Sequence, residues 1–147
     1  MHELREAVPE DAPALQSLYA DIRGSAEWLP PSARRNADFA RDSAGERVIV
    51  AVAPDGSIDG LIAVWEPQAF VHHLYVRECA RRRGVARRLL ESLRISVPRP
   101  WSLKCLKSNA GALRFYRRLG WIGIAAGSSS DGPYELMQWP AVASAAA

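Results

Sequence analysis

Apolar and polar residues alternate along Leu4–Val8 (LREAV), the period of a short half-buried strand. The period lengthens after Pro9, where PEDAPALQSLYADIR carries Leu15, Leu18, Tyr19 and Ile22 at helical spacing. That stretch opens with proline and acids, which first helical turns favour. SARRNADFARDS repeats the helical period more weakly and predicts a second helix with Ser32 as its N-cap. RVIVAVA and IDGLIAVWE flank the turn signal PDGS and predict a hairpin. AFVHHLYV, rich in aromatic and branched residues, predicts another strand. A helix is expected from about Gly84 to Ser96, with Val85, Leu89, Leu90 and Leu93 on its apolar side, until VPRP stops it. WSLKCL predicts a strand, and AGALRFYRRLG a strong helix that Asn109 caps and Gly120 closes. WIGIAA and YELMQW are final strands around a Gly/Ser/Asp loop, and the alanine-rich end at 141–147 has nothing to bury and is expected to fray. This order argues for a mixed α/β sheet covered by helices, in one domain over residues 1–140.

Composition narrows the class. A chain of 147 residues fits one domain, and 48% hydrophobic with 24% charged residues supplies a core and excludes general disorder. Cys79 and Cys105 are too few for a disulfide framework, and nothing beside them resembles a ligand cluster, so no metal site is expected. The charged start MHELREAVPEDAP has no apolar signal core, and the longest apolar run, VIVAVA, falls far short of the ~20 residues of a membrane helix. A cytoplasmic protein with no membrane partner is the expectation.

The formal charge of +3 says less than the clustering of arginine. Arg81, Arg82 and Arg83 crowd the mouth of a predicted helix, where the backbone dipole already presents partial positive charge. A bound anion removes the conflict. The first N–H groups of a helix have no internal partner and point at whatever sits there. Gly84 and Ala86 are small enough to let a pyrophosphate approach, and arginines add charge-assisted hydrogen bonds. The competing reading is a solvated basic face. The run matches neither the Gly-x-x-x-x-Gly-Lys phosphate loop nor the Gly-x-Gly-x-x-Gly dinucleotide turn. It also lacks the interleaved aromatics of a nucleic-acid surface, so no nucleic-acid partner is expected.

Arg81-Arg82-Arg83-Gly84-Val85-Ala86 resembles the Arg/Gln-x-x-Gly-x-Gly/Ala signature of the GCN5-related N-acetyltransferase (GNAT) superfamily. LREAVPEDAPALQSLY is similar to that family's first strand and helix, HHLYV to the strand before the signature, and NAGALRFYRRLGW to its later Asn-x-x-Ala-x-x-Phe/Leu-Tyr motif. The resemblance implies a mixed, mostly antiparallel sheet of about six to seven strands with about four flanking helices, splayed to admit acetyl-CoA. It implies that amides from Arg82 to Arg87 hold the pyrophosphate, with Arg81, Arg83, Gly84, Val85 and Ala86 in the same cradle. Leu74, Tyr75 and Val76 would pair their backbone with the pantetheine arm, alongside Asn109, Ala112 and Phe115. A strand bulge would free an N–H near Val76 for the thioester carbonyl, and Tyr116 would lie near the sulfur. Two positions depart from the common pattern: Ala86 and Arg82 stand where glycine is frequent, and Arg82 is expected to leave the backbone geometry intact.

Acetyl transfer to an amine needs a neutral nitrogen, and an alkylamine with a pKa near ~10 must first lose a proton. His72 and His73 are the candidate bases, with His73 preferred and Glu78 a third choice. Successive strand residues face opposite sides, so one histidine is expected in the cleft. The alternative is that both are structural. Tyr116 is the candidate acid for the leaving thiolate, against a role as a core tyrosine. Trp28, Trp65 and Trp139 line an acceptor pocket or, by preference, fill the core. The expected activity is acetyl-CoA-dependent N-acetylation of a small amine in a ternary complex. A protein N-terminus or lysine as acceptor, a non-catalytic acyl-CoA module, and a homodimer all stay open.

Overall fold

The computed structural model describes residues 1–140; the tail at 141–147 lies outside them. Seven strands form one sheet in the order β1-β2-β3-β4-β5-β7-β6. They are β1 (Glu3–Glu6), β2 (Arg47–Val52), β3 (Ile58–Trp65), β4 (Phe70–Val76), β5 (Trp101–Leu106), β6 (Ile122–Ser129) and β7 (Gly132–Trp139). The helices are α1 (Ala12–Gly24), α2 (Pro31–Arg34), α3 (Phe39–Asp42), α4 (Val85–Glu91) and α5 (Ala110–Arg118). Every pairing is antiparallel except β4 with β5.

The hairpin expected at PDGS joins β2 to β3. Gly56 takes the left-handed φ of 90° that the turn needs, and the Asp55 side chain accepts from the Ser57 amide. β3 is buried along both faces, which is why its sequence reads as a nearly continuous apolar run. The strand period of two divides those residues between two cores. Ile62 and Val64 pack with Val85, Leu89 and Leu90 of α4 and with Leu113 and Tyr116 of α5. Leu61 and Ala63 pack on the opposite face with Leu15, Leu18 and Tyr19 of α1 and with Phe39 of α3.

Two expected helices differ. The stretch Ser32–Ser43 is not one helix but two single turns, α2 and α3, separated by Asn36 at a left-handed φ of 59°. Asn tolerates that conformation, and Phe39 is the only residue of the two turns that is buried, so nothing holds the segment continuous. The cap is Asp38, whose side chain accepts from Arg41 N at 3.1 Å, and Pro31 rather than Ser32 opens the first turn. α4 ends at Glu91 and passes into a 3-10 turn over Ser92–Arg94, short of Ser96.

Gly60 fixes how closely α4 approaches the sheet. A Cβ there would stand 3.3 Å from Val85 Cγ1, 3.3 Å from Leu89 Cδ1 and 3.2 Å from the Tyr75 carbonyl oxygen. Gly60→Ala is therefore expected to cost about 1–3 kcal/mol by overpacking, read as a lower urea midpoint with unchanged slope.

Candidate active site

β4 and β5 pair at one register, Phe70 with Ser102, supported by a Ser102 N to Ala69 O hydrogen bond of 3.1 Å. Beyond that point the strands diverge. β5 pairs on its other side with β7, and the gap towards β4 opens into a cleft of about 890 Å³. Leu74, Tyr75 and Val76 of β4 form one wall, and Lys104, Cys105 and Leu106 of β5 form the other. The arginine turn and α5 complete the lining together with Ile22, Arg23, Trp28 and Leu29.

The turn between β4 and α4 has a distinctive backbone. The first helical bond runs from Arg88 N to Gly84 O, and among the described residues no acceptor takes the N–H of any residue from Arg82 to Arg87. Six consecutive donors thus remain unpaired beside the cleft, an arrangement suited to anion oxygens. Gly84 stands at a φ of 76°, where a side chain would be strained. Arg82 also takes a left-handed φ, 64°, a conformation that costs a side-chain-bearing residue free energy. Arg81 donates from Nε to the Val76 carbonyl at 3.0 Å, fastening the turn to the strand. Arg81, Arg82, Gly84, Val85, Ala86 and Arg87 line the cleft; Arg83 is exposed and does not.

β4 carries a bulge, but at His72 rather than near Val76. Ala63 stands opposite His73 and Val64 opposite Val71, so His72 is an extra residue, while Val76 pairs regularly with Gly60. This corrects the expectation that one histidine faces the cleft. Both line it, with ring centroids 4.0 Å apart. Their environments differ sharply. His73 is enclosed by Tyr19, Phe39 and Tyr75 and donates from Nε2 to the Asp42 carbonyl at 3.2 Å. Burial, reinforced by the neighbouring His72, pushes its pKa down to about 4, so it is neutral near pH 7. The His72 side chain is 44% exposed, and its Nδ1 hydrogen-bonds Glu46 Oε2. Glu46 went unnoticed in the sequence because it enters this group only through the β2–β3–β4 register. Its other oxygen, Oε1, is buried, has no hydrogen-bond partner and faces His73 Nε2 at 3.9 Å. Glu78 sits beyond β4, outside the cleft lining.

From α5, Asn109, Ala112, Phe115 and Tyr116 line the cleft. Asn109 caps α5 through Oδ1, accepting from Ala112 N at 3.2 Å, which leaves its amide NH2 free to donate. Tyr116 rests edge-on against Trp121, and its hydroxyl has no protein partner among the described residues. Burial, with smaller contributions from Cys105 and Tyr75, raises its pKa, so the hydroxyl keeps its proton. Burial also pushes the Cys105 thiol up to about 11. Trp28 borders the cleft, Trp139 stacks on core Trp101 at 5.0 Å, and Trp65 is exposed against Gly45, in neither expected place.

The acetyltransferase (GNAT) domain family profile matches residues 44–122, which span β2 through α5 and the cleft's two walls. The chain belongs to the GNAT acetyltransferase family. Solved GNAT-type folds agree along nearly the whole chain. A GCN5-related N-acetyltransferase from Kribbella flavida superposes with a TM-score of 0.70 at 20% identity, over 95% of this chain and 97% of that one. Apo-form YjaB from Escherichia coli gives 0.79 at 17% identity, with the same coverage of both chains. A GNAT superfamily phosphinothricin acetyltransferase from Sinorhizobium meliloti, in complex with AcCoA, gives 0.68 at 18% identity, over 93% and 86%. No curated protein matches the chain by sequence.

Within this GNAT domain the left-handed arginine is a removable strain. Arg82→Gly is expected to raise stability by about 0.5–1 kcal/mol, read as a higher urea midpoint.

Proposed function

We propose that this GNAT domain moves the acetyl group of acetyl-CoA to a primary amine on a small molecule, by direct transfer within a ternary complex. One observation carries the reading: the unpaired amides of Arg82 to Arg87 border a cleft that begins where β4 leaves β5. A pyrophosphate satisfies those donors, and Arg81, Arg82 and Arg87 offset its charge. The pantetheine arm fits the exposed backbone of Leu74, Tyr75 and Val76, with the Asn109 amide as a further donor, and Ala112 and Phe115 give apolar contact beside it. Arg83 adds long-range charge rather than contact. The Sinorhizobium meliloti neighbour, which carries AcCoA on the same fold, supports this choice of co-substrate.

Acetyl-CoA supplies an activated thioester carbonyl. The chain's own groups handle the protons. His72 takes the role of base, because its ring is exposed in the cleft and Glu46 holds Nδ1, leaving Nε2 free for the amine's proton. His73 has a committed Nε2 and a buried ring, so it acts as a packing partner beneath His72. As the C–N bond forms and the C–S bond breaks, Tyr116 Oη delivers its proton to the departing sulfur. The bulge at His72 opens the β4 ladder beside these groups, where an amide N–H can meet the developing oxyanion.

The test is release of free thiol from acetyl-CoA against a panel of small amines, peptides with free N-termini and lysine peptides. Turnover with small amines bears the reading out. Turnover with peptides alone moves the acceptor to protein, and tight acetyl-CoA binding with no turnover makes the chain an acyl-CoA-binding module. Tyr116→Phe and His72→Ala are each expected to lower kcat by about 10²-fold while leaving the acetyl-CoA Kd unchanged.

A further inference from the structure

Glu46, His72 and His73 each present a ligand atom within 4.8 Å of the others, the one such group among the described residues. The grouping is a product of the bulge, which turns both imidazoles to one side of β4 beside Glu46, the residue just before β2. Two features set it apart from an ordinary ion pair. The Glu46 side chain is 7% exposed, yet Oε1 has no hydrogen-bond partner, an arrangement that costs free energy in a buried carboxyl. That orphaned oxygen faces His73 Nε2 across 3.9 Å, too far for a hydrogen bond.

We infer that Glu46, His72 and His73 form a binding site for a borderline divalent cation, zinc above all. Two imidazoles and a carboxylate are a recurrent zinc donor set. With Zn–N and Zn–O bonds near ~2.1 Å, two donors on one tetrahedral ion stand ~3.4 Å apart, and the 3.9 Å gap needs only a small closure. The imidazole nitrogens nearest the carboxyl now spend protons on oxygen, His72 Nδ1 on Glu46 and His73 Nε2 on the Asp42 carbonyl. A divalent cation takes the place of those protons and gives Oε1 its missing partner. His72 is exposed to the cleft, so the ion has a route in, and water completes its coordination.

The site has a consequence for turnover. With the cation on Nδ1, the ring proton that Nδ1 held moves to Nε2, and His72 has no lone pair for the acceptor amine. Zinc is then an inhibitor of acetyl transfer, a consequence that rests on the reading of His72 as base, whereas the binding site itself does not.

The experiment uses the full chain, untagged and stripped with chelator, in a Cys79→Ser background because that exposed thiol is a rival metal ligand. Co2+ is titrated and followed by its visible d–d absorption, then displaced with Zn2+. The expected result is one ion per chain, bound at least about tenfold more weakly after His72→Ala or Glu46→Gln. Circular dichroism checks that each variant is folded. If Glu46→Gln fails to fold, the exposed His72→Ala decides alone. No binding, or an affinity that folded His72→Ala leaves unchanged, overturns the site. Acetyl transfer is followed in parallel by loss of thioester absorbance with Zn2+ added. Site-dependent binding without inhibition upholds the metal site and overturns His72 as the base.

Discussion

Two neighbouring strands that begin together and then part company set everything else in this structure. β4 and β5 share one parallel pairing, Phe70 with Ser102, and each finds its remaining partners elsewhere, β4 on β3 and β5 on β7. A sheet interior ordinarily satisfies its backbone internally; this one leaves a wedge where N–H and C=O groups are available to a ligand. Two hydrophobic cores flank the sheet, α1 and α3 packing on one face and α4 and α5 on the other.

Electrostatics at the wedge's end follow from the same geometry. Gly60 has no side chain, so α4 lies against β3, and the turn before it arrives with its amides bare. Arg81 ties that turn to β4 by hydrogen-bonding the Val76 carbonyl, which uses one of its donors for architecture. The repulsion among Arg81, Arg82 and Arg83 and the left-handed backbone of Arg82 are both costs in the free protein. An anionic ligand relieves the first. The second is local strain in the turn that borders the cleft.

Along the cleft, neighbouring groups of one chemical type have divergent properties. His72 and His73 are adjacent in sequence and 4.0 Å apart in space, yet one is open to solvent and the other is sealed among aromatic rings. Burial withholds the proton from His73 and holds the proton on Tyr116. Glu46 couples the histidine pair to the start of β2, and its Oε1 stays buried without a partner.

Much of this was legible from the chain alone. Hydrophobic period gave the strands and the long helices; PDGS gave the hairpin; the arginine turn and the Asn109 motif gave the family and part of the cleft lining, though Arg83 stands outside it and Lys104 and Cys105 of β5 were not foreseen. These signals are local, because a turn, a cap or an amphipathic face is specified within a few residues. What the sequence could not carry is register. The bulge at His72, the approach of Glu46 to both imidazoles and the left-handed state of Arg82 depend on how β2, β3, β4 and α4 settle against one another. One inserted residue in a strand reverses which face its neighbours present, and only the packed sheet decides where that insertion falls.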